Sequence, residues 1–159
     1  MSKTLIAYAS KTGTAQEAAE IIARAIPDSE LCDLTTTTPT LSNYDAAIIG
    51  GGIRAGSVHN STKQFIDKNA TQLAGMKAAY FITNSFLDDA PAIIDKMLPA
   101  SLKSQALFAD TVGGRLDMDK LKGVDKLIAK MVDKIAAGGK NLSTGLDENA
   151  IAALVAKFV

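Results

Sequence analysis

The sequence is poor in the groups that build staples and cages. It has one cysteine, Cys32, so no internal disulfide can form and no cysteine-based metal site can be assembled. It has no excess of either charge: Lys plus Arg is 17 and Asp plus Glu is 17. A general nucleic-acid binder would show a basic surplus, so nucleic acid is not an expected partner. No apolar run approaches the ~18 residues of a membrane-crossing helix, and no integral membrane segment is expected. The N-terminus enters a strand pattern after a single lysine, with no secretory hydrophobic region. Together with the lone thiol, this leads us to expect a cytoplasmic protein. What remains is ordinary: 159 residues, 47% hydrophobic and 21% charged, which suits one domain over residues 1–159 with a sizeable core.

Short apolar runs alternate with helical periodicity. Strands are predicted at residues 3–9, 30–34, 45–50, 77–83 and 106–112. The third, DAAIIG, reads as a buried strand stopped by three glycines. Helices are predicted over 14–26, 61–69, 90–98, 118–137 and 147–158, the last with Asp147 as N-cap. Phe65, Ile66 and Leu73 should face inward. Five strands alternating with helices imply an α/β fold: a doubly wound parallel sheet covered on both faces. In such sheets ligands bind outside the carboxyl ends of the strands. The stretches to inspect are therefore 10–14, 50–60, 84–89 and 113–117.

The first of these is SKTGT. Ser10, Thr12 and Thr14 supply uncharged donors, and Gly13 lets the backbone approach an anion. The helix that follows offers unpaired N–H groups and about half a unit of positive charge at its start. Hydroxyls, glycine and helix start together make a phosphate site. The order of residues is neither a P-loop nor a three-glycine dinucleotide fingerprint. The competing reading is a well-capped first helix, with Thr12 or Thr14 as N-cap. GGGIRA, residues 50–55, admits a degenerate dinucleotide motif, but it follows the third strand and no helix begins directly after it.

SKTGTA after the first strand resembles the phosphate loop of flavodoxins, which bind FMN. The resemblance implies the flavodoxin-like strand order 2-1-3-4-5. It also implies that Ser10, Lys11, Thr12, Gly13, Thr14 and Ala15 surround the FMN phosphate. At Ala15 flavodoxins usually carry another threonine; alanine keeps the N–H and drops the hydroxyl. The second loop, GGGIRAGSVHNS, is similar to that of the flavodoxin-like protoporphyrinogen oxidases, which bring isoleucine-arginine-x-glycine and then histidine and serine. By that resemblance Gly51, Gly52, Ile53, Arg54, Ala55 and Gly56 border the flavin ring, where electron-transfer flavodoxins usually stack an aromatic. Asn84, Ser85 and Phe86 would meet the pyrimidine edge and the ring from the fourth strand. GGR at 113–115 loosely echoes a glycine-arginine stretch of the same oxidases.

Several residues carry two readings each. Arg54 either stabilises negative charge on a reduced ring or is a solvated loop arginine. His59, the only histidine, either donates protons or caps the following helix. Phe86 either stacks on the ring or anchors its loop. Asp88 and Asp89 read as N-capping charges, and Cys32 as a small buried filler. Lys122, Lys126, Lys130 and Lys134 recur every four residues, forming either a solvated helix face or a surface for weak contact with an anionic membrane.

No triad, paired acid and base, or metal constellation is evident, so the chemistry expected is that of a bound flavin. The resemblance implies an FMN-binding redox protein carrying electrons through its flavin, with redox proteins or a quinone as partners. Two alternatives stand beside it: a flavoenzyme such as a quinone-dependent protoporphyrinogen oxidase, and a flavin-free flavodoxin-like binding module.

Overall fold

The computed structural model describes residues 3–10, 13–54, 56–84, 87–113 and 146–159. Lys11, Thr12, Ala55, Ser85, Phe86, Arg115 and the helix expected over 118–137, with its four lysines, lie outside the described residues. So do Gly114 and the remainder of the 113–117 stretch beyond Gly113.

Strand β1 (Thr4–Ala9) is buried along its whole length. It pairs in parallel with β2 (Ser29–Asp33) on one side and β3 (Ala46–Arg54) on the other. Beyond β3 follow β5 (Lys77–Thr83) and β6 (Ala109–Thr111), also parallel, giving the order β2-β1-β3-β5-β6. This is the expected flavodoxin-like order of five parallel strands. A sixth strand, β4 (Ser57–Val58), adds antiparallel to the end of β3.

Both faces are covered, which is why Leu5 to Ala9 of β1 are hydrophobic in succession and buried on both sides. Ile6, Tyr8, Ile48 and Phe81 pack against Ile22 of α1 (Thr14–Ala25) and against Ile151 and Leu154 of α6 (Glu148–Val155). Leu5, Ile49, Tyr80 and Ile82 pack on the opposite face. There they meet Phe65 and Ile66 of α2 (Asn60–Lys68), Leu73 of α3 (Ala70–Ala74), Met97 of α4 (Ala90–Met97) and Leu102 of α5 (Ala100–Gln105). The three residues expected to face inward, Phe65, Ile66 and Leu73, are buried. Asp147 caps α6, its Oδ1 accepting from the Ala150 N–H at 3.1 Å.

One expectation needs correcting. The glycines do not stop β3; the strand runs through Gly50, Gly51 and Gly52 to Arg54. Side chains from neighbouring elements occupy the space a Cβ would need. A Cβ on Gly50 would lie 2.1 Å from Cζ of Phe81, and one on Gly51 would lie 2.6 Å from Oγ1 of Thr62. Glycine inside a strand here marks close approach, not termination. Pro99 follows the C-cap of α4 and stands at the N-cap position of α5, where it needs no N–H.

The amino ends of the central strands are tied by polar contacts. The Lys3 N–H donates to Asp45 Oδ2 at 2.8 Å, and the Asp45 N–H donates to the Lys3 carbonyl at 2.9 Å. Lys3 Nζ lies 3.3 Å from Glu30 Oε1 and 5.5 Å from the Tyr44 ring centre. The Tyr44 hydroxyl donates to the same Glu30 carboxylate. At the other end of the sheet, Gly113 and Leu146 form an antiparallel bridge. The Asp147 N–H reaches the Val112 carbonyl at 2.7 Å. Among the described residues no helix is long and apolar enough to cross a membrane.

Candidate functional site

Three strand ends meet at the carboxyl rim. Ala9 pairs with Gly51, and Gly52 pairs with Thr83, so the segments after β1, β3 and β5 lie side by side.

The first segment wraps the start of α1. Gly13 is the N-cap residue at φ 91°, a left-handed conformation that glycine adopts without strain. Its N–H donates to Ser10 Oγ at 2.9 Å, which closes the loop on itself. The helical bonds begin with the Glu17 N–H on the Gly13 carbonyl at 2.9 Å. The N–H groups of Thr14, Ala15 and Gln16 therefore precede the first helical acceptor. Among the described residues no side chain makes a capping bond there. Gly13 and not Thr14 holds the N-cap position, and Thr12 lies outside the described residues. Thr14 and Ala15 are buried against the sheet. An uncharged hydroxyl, a left-handed glycine and amides at the positive end of a helix suit a phosphate monoester.

The second segment is a hairpin, where the sequence suggested an open loop over 50–60. Ile53 pairs with Val58 and Arg54 with Ser57, and the His59 N–H donates to the Gly52 carbonyl at 3.0 Å. Gly56 forms the exposed tip at φ 77°, with no atom within 4 Å of where a Cβ would be. His59 Nδ1 accepts from the Ser61 N–H at 3.1 Å, which is the capping role of its two readings.

The third segment carries Asn84, which is buried with Thr83 beside it. The Asn84 N–H donates to the Gly113 carbonyl at 3.0 Å, and the Gly113 N–H donates to Thr111 Oγ1 at 3.1 Å. The Thr111 hydroxyl in turn contacts Asn84 Oδ1. Thr111 was not singled out in the sequence; one threonine in a short strand gives no signal, and only its packing against Asn84 reveals it. Asp89 stands at the N-cap position of α4.

The remaining groups are structural. Cys32 is half-buried at the margin of the core, with Sγ 3.9 Å from the Thr37 carbonyl. Burial, then Asp33 and Glu30, push its thiol up and keep it protonated. Burial of Tyr8, followed by the charges of Asp33 and Glu20, likewise raises its phenol.

Of the expected site residues, the structure brings Ser10, Gly13, Thr14, Ala15, Gly51, Gly52, Ile53, Arg54, Gly56 and Asn84 to this one rim. Comparisons with known proteins place the chain in a family. The family model of the flavodoxin domain matches residues 5–143. The protoporphyrinogen IX dehydrogenase (quinone) of Escherichia coli strain K12 is 31% identical over 87 residues, which are 52% of this chain and 48% of that protein. The match thus spans about half the length of that relative. A flavodoxin from the domain Archaea superposes with a TM-score of 0.56 at 20% identity, over 82% of this chain and 92% of the other. The Fusobacterium nucleatum flavodoxin bound to flavin mononucleotide gives 0.50 at 12% identity, over 99% and 95%. The solved structures carry the fold, the family model carries most of the length, and the chain belongs to the flavodoxin family of FMN-binding redox proteins.

Proposed function

We propose that this protein holds one FMN at the carboxyl rim of the sheet and carries electrons through it. The observation behind this reading is the glycine-capped start of α1. Its amides at Thr14, Ala15 and Gln16 stand next to left-handed Gly13 and the Ser10 hydroxyl, a donor set suited to a terminal phosphate. Lys11 and Thr12 complete that loop in sequence. The hairpin bearing Gly51, Gly52, Ile53, Arg54, Ala55 and Gly56 would border the ring, and Asn84, Ser85 and Phe86 would take its pyrimidine edge. FMN supplies the redox chemistry; the chain anchors the phosphate, orients the ring and sets the charge around it. Redox proteins or a quinone are the partners that fit.

A second reading extends the first. The 31% identity to an enzyme named protoporphyrinogen IX dehydrogenase (quinone) favours a protoporphyrinogen-oxidising flavoenzyme with a quinone acceptor. Turnover of protoporphyrinogen with a quinone decides between shuttle and enzyme. For the cofactor itself, the supernatant released by heating the purified protein should contain FMN, about one per chain. Recovery of FAD, or no flavin after incubation with excess FMN, would overturn the proposal.

A further inference from the structure

Gly50 and Gly52 lie on one face of β3, paired with Phe81 and Thr83 of β5. Phe81 belongs to the core layer that packs on α1, so this is the face turned to that helix. Above Gly50 the space is full: a Cβ there would lie 2.1 Å from Cζ of Phe81. Above Gly52, nearer the carboxyl rim, it is open. Among the described residues, its chain neighbours aside, the only atom within 4 Å of a Cβ on Gly52 is Thr83 Oγ1, at 3.7 Å. Thr83 is 5% exposed, and its hydroxyl makes no hydrogen bond among the described residues. The one polar side-chain atom among them that is both sealed from solvent and unpartnered is the Tyr80 hydroxyl, so Thr83 Oγ1 is not sealed. A nearly buried threonine thus offers an unpaired hydroxyl, donor and acceptor, over an opening left by glycine. On the other side of β3, Tyr8 pairs with Gly50 and Ala9 with Gly51, so Ser10 follows at the level of Gly52. The opening therefore lies between the proposed phosphate loop and Thr83, which stand two strand spacings, about 10 Å, apart.

We propose that Thr83 is a specificity-determining contact for the cofactor: its hydroxyl bonds a hydroxyl of the ribityl chain of FMN where that chain crosses the opening over Gly52. The inference rests on the FMN reading above, and it names the residue that recognises the part of the cofactor between phosphate and ring. A ligand anchored by its phosphate at the start of α1 reaches the hairpin and the end of β5 through that chain, which carries three hydroxyls. The missing side chain of Gly52 gives it room, and Thr83 gives it a partner. A chain of the same length without hydroxyls would cover Thr83 Oγ1 and leave it unpaired, which is the costly outcome for a polar atom taken from water.

The test titrates two ligands into the wild-type protein, Thr83→Val, Thr83→Ser and Gly52→Ala: FMN, and a flavin bearing a terminal phosphate on a chain without hydroxyls. Flavin fluorescence gives the affinities, and apo-protein melting reports the fold. Thr83→Val removes the oxygen at nearly constant shape, so it should weaken FMN about tenfold, the size of one hydrogen bond, and should not weaken the analogue. Thr83→Ser restores the hydroxyl and should recover the preference for FMN. Gly52→Ala adds a methyl in ordinary contact with Thr83 Oγ1, so the apo protein should melt no lower while both ligands bind more weakly. If Thr83→Val does not fold, Thr83→Ala takes its place with the same two ligands. Undiminished FMN affinity in the variant without the oxygen, equal weakening of FMN and the analogue, or undiminished FMN affinity in Gly52→Ala overturns the inference and leaves the cofactor reading standing. A wild-type protein that takes up no FMN overturns the cofactor reading and this inference with it.

Discussion

The two rims of the sheet are built on opposite plans. At the amino rim Lys3, Glu30, Tyr44 and Asp45 satisfy one another: a backbone N–H on a carboxylate, a backbone–backbone bond, an ion pair, a phenol on a carboxylate and an ammonium near a ring. At the carboxyl rim the first turn of α1 has a glycine cap, and among the described residues no side chain caps it. The amino rim spends its polar groups on itself. The carboxyl rim, where we propose that the cofactor sits, presents the amides of Thr14, Ala15 and Gln16 beside left-handed Gly13. The difference separates residues that hold the sheet from residues proposed to serve a ligand.

Four measurements break or sharpen that contrast. The largest effect belongs to Gly50→Ala, because its Cβ would meet the fully buried Phe81 ring at 2.1 Å. Overpacking of this kind should cost about 3 kcal/mol, a fall of roughly 6–12 °C in melting temperature, with or without flavin. An unchanged melting curve would mean that the carboxyl rim is more compliant than its packing shows.

Gly13→Val comes next. It places a side chain at the anion position and forces a β-branched residue to φ 91°. Losing one or two charge-assisted bonds at about 1.5–3 kcal/mol each should weaken FMN more than tenfold. The left-handed backbone adds about 1–2 kcal/mol of strain, so the apo protein should also melt a few degrees lower. Titration with FMN and apo-protein calorimetry separate the two effects. Retained affinity with collapsed apo stability would make Gly13 a purely structural cap.

Arg54→Ala is third. Residues 50–63 carry no acid, and Arg54 ends β3 beside the tip of the hairpin. A cation bordering the ring should favour reduction by about 1 kcal/mol at an effective dielectric near 20. The variant should therefore have a more negative midpoint potential, and added salt should narrow the gap. A redox titration giving equal potentials would move Arg54 out of the site.

The smallest effect lies at the amino rim. The Tyr44 hydroxyl, and after it Lys3, hold the Glu30 carboxyl below its ordinary value of 4.5. A depressed carboxyl stabilises above that value, and the contribution is lost as pH falls through the folded-state value. The bond to Glu30, followed by burial, pushes the Tyr44 phenol up to about 12 from 10.0. A raised phenol stabilises below 10 and loses that contribution as pH rises through about 12. Tyr44→Phe should therefore flatten the alkaline arm of a melting-temperature profile and lower the neutral value by less than about 2 °C, as expected of an exposed pair. A loss as large as that of Gly50→Ala would erase the contrast between the rims.

The sequence carried the sheet and its first loop because both are local. Short continuous apolar runs marked β1, β3 and β5, 3.6-residue periodicity marked α1, α2, α4 and α6, and Ser10-Lys11-Thr12-Gly13-Thr14 wrote the proposed anion site into consecutive residues. What escaped it is decided by partners distant in the chain. Gly50 and Gly51 look like a strand stop until Phe81 and Thr62 are seen to need their space. The β3–β4 hairpin rests on two residue pairs, too few to leave a pattern. Thr111 matters only through Asn84, a neighbour made by the sheet.

The bridge between Gly113 and Leu146 has a consequence of another kind. Bridged residues in an antiparallel pair stand about 5 Å apart, so the sheet itself holds both ends of residues 114–145 together. Each doubling or halving of a chain closed at such a neck changes the closure entropy by only about 0.6 kcal/mol. The Gly113–Leu146 neck is therefore a point in the sheet where the length of chain between two bridged residues can change at little closure cost.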